Sequence, residues 1–446
     1  MTATAKPAPD GMRWMALCSL LTAVFLGSLD QSIANTALPA IAQAMQRTPA
    51  ESVWVIHAYQ LAVVAMLLPL AALGDRWGAR KVFLWGVALF NLAALASACT
   101  TRLEWLALFR AVQGVGAAGV MSVNLALIQR IFPPEKLGRG AGMNALIVGI
   151  GYSLGPTVAS LLLAVLPWPW LFGLQAPLGL LGWFLARRCL PRTEPAPSHE
   201  PYDRWLALLS AVCFASLVFT LSAVAQQKGA AVVLASLALM LGSGAWLLLR
   251  QRGHAAPVLP VDLMQKPMFS LSVFTSFSSF TTQGLAFVAL PFFFQQQLAR
   301  PAVETGVLMS VWALVVALMA PVAGPLSDRY PSATLGGLGL GLLSAGMLGL
   351  GALGAEAPFA VMALCMALCG VGFGLFQSPN LRAIMASAPP HRTSSASGMV
   401  ALARLTGQAS GAALVALCFN LFGPLGAGRA VMLGAVTAGL GRSEER

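Results

Sequence analysis

The chain has 446 residues, of which 58% are hydrophobic and 9% charged, and its mean hydropathy is +0.77. Ordinary soluble domains carry about 25% charged residues. These values exclude a soluble globular enzyme, a disordered chain and a disulfide-stapled secreted scaffold, and they imply a polytopic membrane protein. A net charge of +12 would suggest nucleic acid in a soluble chain. Here the charges sit in loops that flank apolar runs, so topology accounts for them and no nucleic-acid partner is expected.

Along the chain the apolar runs are 13–37, 52–74, 79–100, 104–131, 138–165, 168–188, 204–224, 229–250, 268–294, 303–326, 333–354, 357–379, 393–422 and 430–441. That makes thirteen full spans and a short last one, whose 12 residues give ~18 Å of helix against a ~30 Å hydrocarbon core. The first run is too long for a signal-peptide core and has no A-x-A site after it, so it reads as the first span. With the N-terminus placed in the cytoplasm, alternation puts 20 of the 27 Lys and Arg on that side and 5 on the other, with Arg110 and Arg404 inside spans. This bias fits the positive-inside rule. It predicts a multi-pass protein of the cell inner membrane with a cytoplasmic N-terminus. We call the favoured side the basic face.

The expected organisation is a cytoplasmic tail over 1–12, a six-helix bundle over 13–188 and a Pro-rich cytoplasmic linker over 189–203. Two extra transmembrane helices follow over 204–250, then a cytoplasmic loop over 251–267, a second bundle with a short final span over 268–441, and a tail over 442–446. An internal repeat supports this division. Leu73-Gly74-Asp75-Arg76 follows the second run and Leu326-Ser327-Asp328-Arg329 follows the tenth. Two equal six-span halves would place the second copy after the eighth run, so two spans are inserted between the halves. Repeated halves point to a transporter.

Single residues then stand out. Asp30 is the only carboxylate well inside a span. Burying an ionised acid is costly, so Asp30 should face a wet cavity and carry a proton or a cation in turn. Arg110 sits a turn or two inside the fourth run. A guanidinium does not deprotonate, so Arg110 needs a partner, or else it snorkels to the interface. Gly151 and Gly155 let another helix approach closely, and Pro156 weakens the local ladder. Arg404, inside the thirteenth run, needs a carbonyl, anion or acid partner. His57 lies near the outer start of the second run and could tune Asp30 or sense external pH. Asn35, Asn124, Asn144, Gln175, Gln283, Trp312, Phe376 and Gln377 are polar or aromatic candidates for a central cavity, where aromatics could hold a cation. Cys365 and Cys369 share a helical face without a nearby His or acid, so no metal site is expected.

Several of these runs resemble the major facilitator superfamily, and within it the fourteen-span drug:proton antiporter branch. Leu29-Asp30-Gln31-Ser32-Ile33-Ala34-Asn35-Thr36-Ala37-Leu38-Pro39 is similar to that branch's first-span motif, L-D-x-T-I-V-N-x-A-L-P. Ala71 to Lys81, with Asp75, Arg76, Gly78 and Arg80, is similar to the loop signature G-x-L-a-D-r-x-G-r-k, and Asp328-Arg329 is a degenerate second copy. Leu108 to Ala118, around Arg110, is similar to the fourth-span motif, and Gly151-Tyr152-Ser153-Leu154-Gly155-Pro156 to the start of the antiporter motif. Trp168 to Gly179 resembles the opening of span six, with Pro169 and Gln175 as departures.

The resemblance implies an all-α major facilitator fold: two six-helix bundles, two extra central helices and a short last span. It implies proton-driven export of a lipophilic, cationic compound. Asp30 and Arg110 would couple the proton, the Asp75 loop would gate the cytoplasmic side, and Gly151 to Pro156 would form a hinge at the interface of the halves. The proton gradient supplies the energy, so no cofactor is expected. The partners expected are protons, a small lipophilic substrate and the bilayer, for a monomer to which accessory export proteins could add. The chain has neither G-x-x-x-x-G-K-[ST] nor H-E-x-x-H, so neither an ATP-driven pump nor an enzyme is expected. The alternatives are export of an endogenous metabolite, a membrane-embedded enzyme, for which only the scattered His199, Asp203, His254 and Asp262 are available, and a transport-dead partner protein.

Overall fold

The computed structural model describes residues 10–47, 52, 54–132, 137–191, 203–225, 227–251, 259–354 and 356–443. The described residues are helical nearly throughout and contain no strand. A helix pairs its own N–H and C=O groups, which is what hydrocarbon demands of a single segment. The first half comprises α1 (Asp10–Ala44), α2 (Trp54–Trp77), α3 (Ala79–Ala98), α4 (Leu103–Ile131), α5 (Leu137–Val165) and α6 (Gln175–Cys189). Then come α7 (Arg204–Ala225) and α8 (Ala230–Arg250). The second half comprises α9 (Pro267–Phe292), α10 (Ala302–Arg329), α11 (Ser332–Gly351), α12 (Phe359–Ser387), α13 (Thr393–Phe422) and α14 (Gly426–Ser443).

Among the described residues, 11 helices are long and apolar enough to cross a membrane. The sixth run is divided: a one-turn helix, Trp170–Gly173, precedes the 15 residues of α6. The last helix is short, as expected, but has 18 residues rather than 12, because Gly426 to Arg429 take up helix before the apolar run begins and Arg442 and Ser443 continue it afterwards. Large apolar side chains such as Trp85, Leu161 and Leu364 are mostly exposed on the outside of the bundle, a surface suited to lipid rather than water.

The internal repeat is visible in the packing. In the first half α1 packs on α5 and α6, α4 on α2 and α3, and α3 on α6. In the second half α9 packs on α13 and α14, α12 on α10 and α11, and α11 on α14. Shifting every helix by eight positions turns one set into the other. The halves meet along two seams, α2 with α13 and α5 with α10, which exchange under the same shift. The inserted α7 breaks this symmetry: it packs on α2 and α13, along one seam, and on α8.

Glycines repeat as well. Gly86 in α3 faces Gly116 in α4, and a Cβ on Gly116 would stand 2.5 Å from the Phe90 nitrogen. Gly339 in α11 faces Gly372 in α12, and a Cβ on Gly372 would stand 2.4 Å from the Leu343 nitrogen. Each member of one pair occupies the same position in its helix as its counterpart in the other. Small residues at a crossing let helix backbones approach without side chains between them.

Candidate functional site

Asp30 on α1 and Arg110 on α4 meet inside the first half. Arg110 Nη1 lies 2.6 Å from Asp30 Oδ2, and both side chains are essentially unexposed. The same nitrogen donates to Gln113 Oε1 at 2.7 Å, and Gln113 Nε2 donates to Asp30 Oδ1 at 3.0 Å. Gln175 Nε2, at the start of α6, reaches the same carboxylate oxygen at 3.2 Å. Arg110 Nε donates to the Val55 carbonyl, and the guanidinium lies over the rings of Tyr59 and Phe172, 4.5 and 5.3 Å from their centroids. Arg110 and Gln113 are three residues apart on one helical face, so α4 presents both to Asp30. The cluster differs from the expectation of an acid facing a wet cavity. The carboxylate is closed off by its own partners, and a buried charge is tolerated when it is paired and hydrogen-bonded. Arg110 does not snorkel. Gln175, expected at the cavity, belongs to this cluster instead.

Beside the cluster lies a cavity of about 340 Å³, walled by α1 to α5, α7 and α13. Tyr59 is common to both, with one part on the cavity wall and its ring against Arg110. Val218, Leu221 and Ser222 bring the inserted α7 into the wall. Of the residues expected at a cavity, His57 and Arg404 line this one, and Gln283 stands one hydrogen bond behind it, accepting from Gln408 Nε2 at 2.9 Å. Asn35 is exposed outside the wall. Asn124 Nδ2 donates to Asn144 Oδ1 at 2.6 Å and ties α4 to α5 away from the wall. Trp312 and Phe376 are fully buried core of the second half, and Gln377 is also off the wall. Sequence reasoning passed over Gln31, Gln60, Asn91 and Tyr152, which line the cavity. Gln31 and Tyr152 lie inside the first-span and antiporter motifs and are the ones with a signal.

The wall carries Arg404 and, among its described residues, no Asp or Glu. A guanidinium in a poorly screened cavity repels a cation and attracts an anion.

The two halves are latched at the basic face. Asp75, in the last turn of α2, accepts from the backbone N–H of Ser394 at 2.8 Å and of Ser395 at 3.0 Å, and from Ser395 Oγ at 2.6 Å. It caps α13 from the other half, satisfying N–H groups that a helix start leaves unpaired. Ser397 Oγ accepts from the Leu125 nitrogen, and Gln129 Nε2 donates to the Met385 carbonyl in the same region. Gly78 has φ 96°, in the left-handed region that favours glycine. It turns the chain from the end of α2 into α3 in one residue. Arg80 donates to the Arg187 carbonyl at the end of α6. Arg76 lies part-buried in the last turn of α2. In the second copy Arg329 is exposed, and Tyr330 and Pro331 make the turn that Gly78 makes alone. The side chains of Asp328 and Pro156 lie outside the described ones.

The expected hinge glycines do not lie between the halves. A Cβ on Gly151 would stand 2.8 Å from Ser28 Cβ, and one on Gly155 2.3 Å from Ser32 Cβ and Oγ. Both therefore face α1, the Asp30 helix, within the first half, because a four-residue spacing keeps them on one face of α5. Gly142, earlier on the same helix, is the one pressed against α10, with its Cβ position 2.7 Å from the Ala320 carbonyl.

The sequence profile of the Major Facilitator Superfamily matches residues 20–412. The chain is 43% identical to the uncharacterized transporter YebQ of Escherichia coli K12 over 96% of its own length and 94% of that protein's. It is 26% identical to the riboflavin transporter RibZ of Clostridioides difficile, over 85% and 82% of the two chains. With the methylenomycin A resistance protein of Streptomyces coelicolor the identity is 28%, over 89% and 82%. The crystal structure of the human organic anion transporter MFSD10 superposes with a TM-score of 0.71 at 16% identity, covering 98% of this chain and all of that one, which bears on the fold alone. With its repeated six-helix halves, its Asp75 loop and its profile match over most of its length, the chain belongs to the major facilitator superfamily.

Proposed function

We propose that the protein is a secondary active transporter that exports lipophilic small molecules in exchange for protons, taking cargo from the basic face, which we place in the cytoplasm of an inner-membrane protein. The observation that carries this reading is the Asp30–Arg110 pair, set in the span beside a largely apolar cavity, in a protein whose halves Asp75 joins at the basic face. Asp30 is the proton carrier. Asp30 and Arg110 both lie in the first half, so the exchange of this partner for a proton calls for α1 to shift against α4 within that half as access alternates. The methylenomycin A resistance protein among its relatives supports export of toxic compounds. The riboflavin transporter supports a second reading, proton-coupled movement of an endogenous metabolite through the same cavity.

The test uses the full chain in proteoliposomes with an imposed pH gradient and a panel of fluorescent lipophilic probes of charge +1, 0 and −1. Uptake that follows the gradient and collapses in Asp30→Asn is expected. Flux indifferent to the gradient, or equal coupling in Asp30→Asn, would overturn the proposal.

A further inference from the structure

Arg404 stands where α13 borders the cavity, half-buried. Its one hydrogen bond among the described residues goes from Nη2 to Met121 Sδ at 3.9 Å, and a thioether is a weak acceptor. A guanidinium has five N–H donors and cannot shed its charge. The two fully buried arginines each have an acid: Arg110 has Asp30, and Arg392 has Asp262 Oδ1 at 2.9 Å; half-buried Arg80 and Arg382 donate to the Arg187 and Ser327 carbonyls. Among the described residues Arg404 has neither an acid nor a carbonyl, and no carboxylate lines the cavity.

Asn91, in α3, also borders the cavity. It is 3% exposed, and neither amide atom has a hydrogen-bond partner among the described residues. The amide packs against Gly179 of α6, which does not line the cavity, so it faces the contact of α3 with α6 and leaves Arg404 as the polar anchor for a cargo. Val63, Val64, Val87 and Phe90 give α2 and α3 an apolar stretch of the wall beside His57, Tyr59 and Gln60.

From this we infer that the cavity takes lipophilic organic acids, with the cargo's carboxylate, or an equivalent anionic oxygen pair, held by Arg404 and its apolar body held against α2 and α3. The inference rests on the reading of this cavity as the cargo site of an exporter. It has a consequence for energetics. An anion leaving an inside-negative cell is helped by the membrane potential, so one exchanged proton on Asp30 need not supply all the drive.

The test is binding to the purified full chain in detergent, without any gradient, of three probes of one shape: 2-naphthoate, 2-naphthamide and 2-naphthylmethylammonium. A charge-assisted pair should favour naphthoate over naphthamide by about 10- to 100-fold, with the ammonium weakest. Arg404→Gln should bring naphthoate down to the level of naphthamide and leave naphthamide within about twofold. Arg404→Lys keeps the charge and loses the fork, so naphthoate should weaken by about 3- to 10-fold with naphthamide unchanged; this variant decides the matter if Arg404→Gln does not assemble. Equal affinity for acid and amide, a preference for the ammonium, or no saturable naphthoate binding to the unaltered chain would overturn the inference. Loss of proton coupling with the naphthoate preference intact would instead overturn only the proposed exchange.

Discussion

Asp30 and Arg110 form an ion pair of 2.6 Å with neither side chain reaching solvent. Removing one partner of such a pair strands the other charge, a loss of about 3–5 kcal/mol. Asp30→Asn should therefore lower the melting temperature in detergent as well as abolish coupling. The double variant Asp30→Asn with Arg110→Gln should recover most of the stability, because no unpaired charge remains, and none of the coupling. A double variant as unstable as the single one would show that the pair is not the unit that matters.

Asp75 spans the seam between the halves with three hydrogen bonds to the start of α13. Asp75→Asn removes the charge and sets an NH2 group against donors, so it should weaken the closed basic face by about 1–2 kcal/mol. Spin labels at the exposed Lys81 and Arg329, one in each half, would report this in a background without native cysteines. The unaltered chain should give one dominant distance, and Asp75→Asn should add a longer one. Ser395→Ala removes only one of the three bonds and should add less of it. Identical distributions in all three proteins would refute the latch.

Gly155 and Gly149 lie on the same helix and form a matched pair. A Cβ at Gly155 would meet Ser32 at 2.3 Å, whereas one at Gly149 has nothing within 4 Å. Gly155→Ala should push α5 off α1, stretch the 2.9 Å bond from Ser32 Oγ to the Tyr152 carbonyl, and cost about 1–3 kcal/mol. Gly149→Ala should be neutral, or stabilising by up to about 1 kcal/mol, since alanine favours the helix. Equal melting temperatures for the two variants would contradict the packing described.

These residues also mark how far the sequence could be read. Asp30 and Arg110 were visible because ionisable side chains in apolar runs are rare and costly, but that they are each other's partner needed the crossing of α1 and α4. The Asp75 loop was readable in outline, since Gly78 must adopt a backbone few residues tolerate, while the serines it caps lie more than 300 positions away. The glycine stripe of α5 gives the closeness of an approach and not its direction: the motif points to the interface of the halves, whereas the stripe faces α1. The cavity was least legible. Gln60 and Asn91 are ordinary residues in ordinary helices, and a polar amide in a span has no periodic signal that separates a cavity wall from a helix contact.

The two glycine crossings offer a test of the repeat itself. Gly116 and Gly372 occupy matching positions in α4 and α12, and a Cβ on either would strike backbone atoms of the neighbouring helix, at 2.5 and 2.4 Å. Backbone cannot rotate away as a side chain can, so each alanine substitution must part its helix pair, at a cost of about 1–3 kcal/mol. If the halves are equivalent units, Gly116→Ala and Gly372→Ala should lower stability to similar extents. The sites lie in different halves with no shared neighbour, so the double variant should show the sum within about 0.5 kcal/mol. Chemical denaturation in mixed micelles measures all three. A large loss for one substitution and none for the other would mean that only one half depends on its glycine crossing, and that the matched positions are not matched in energy.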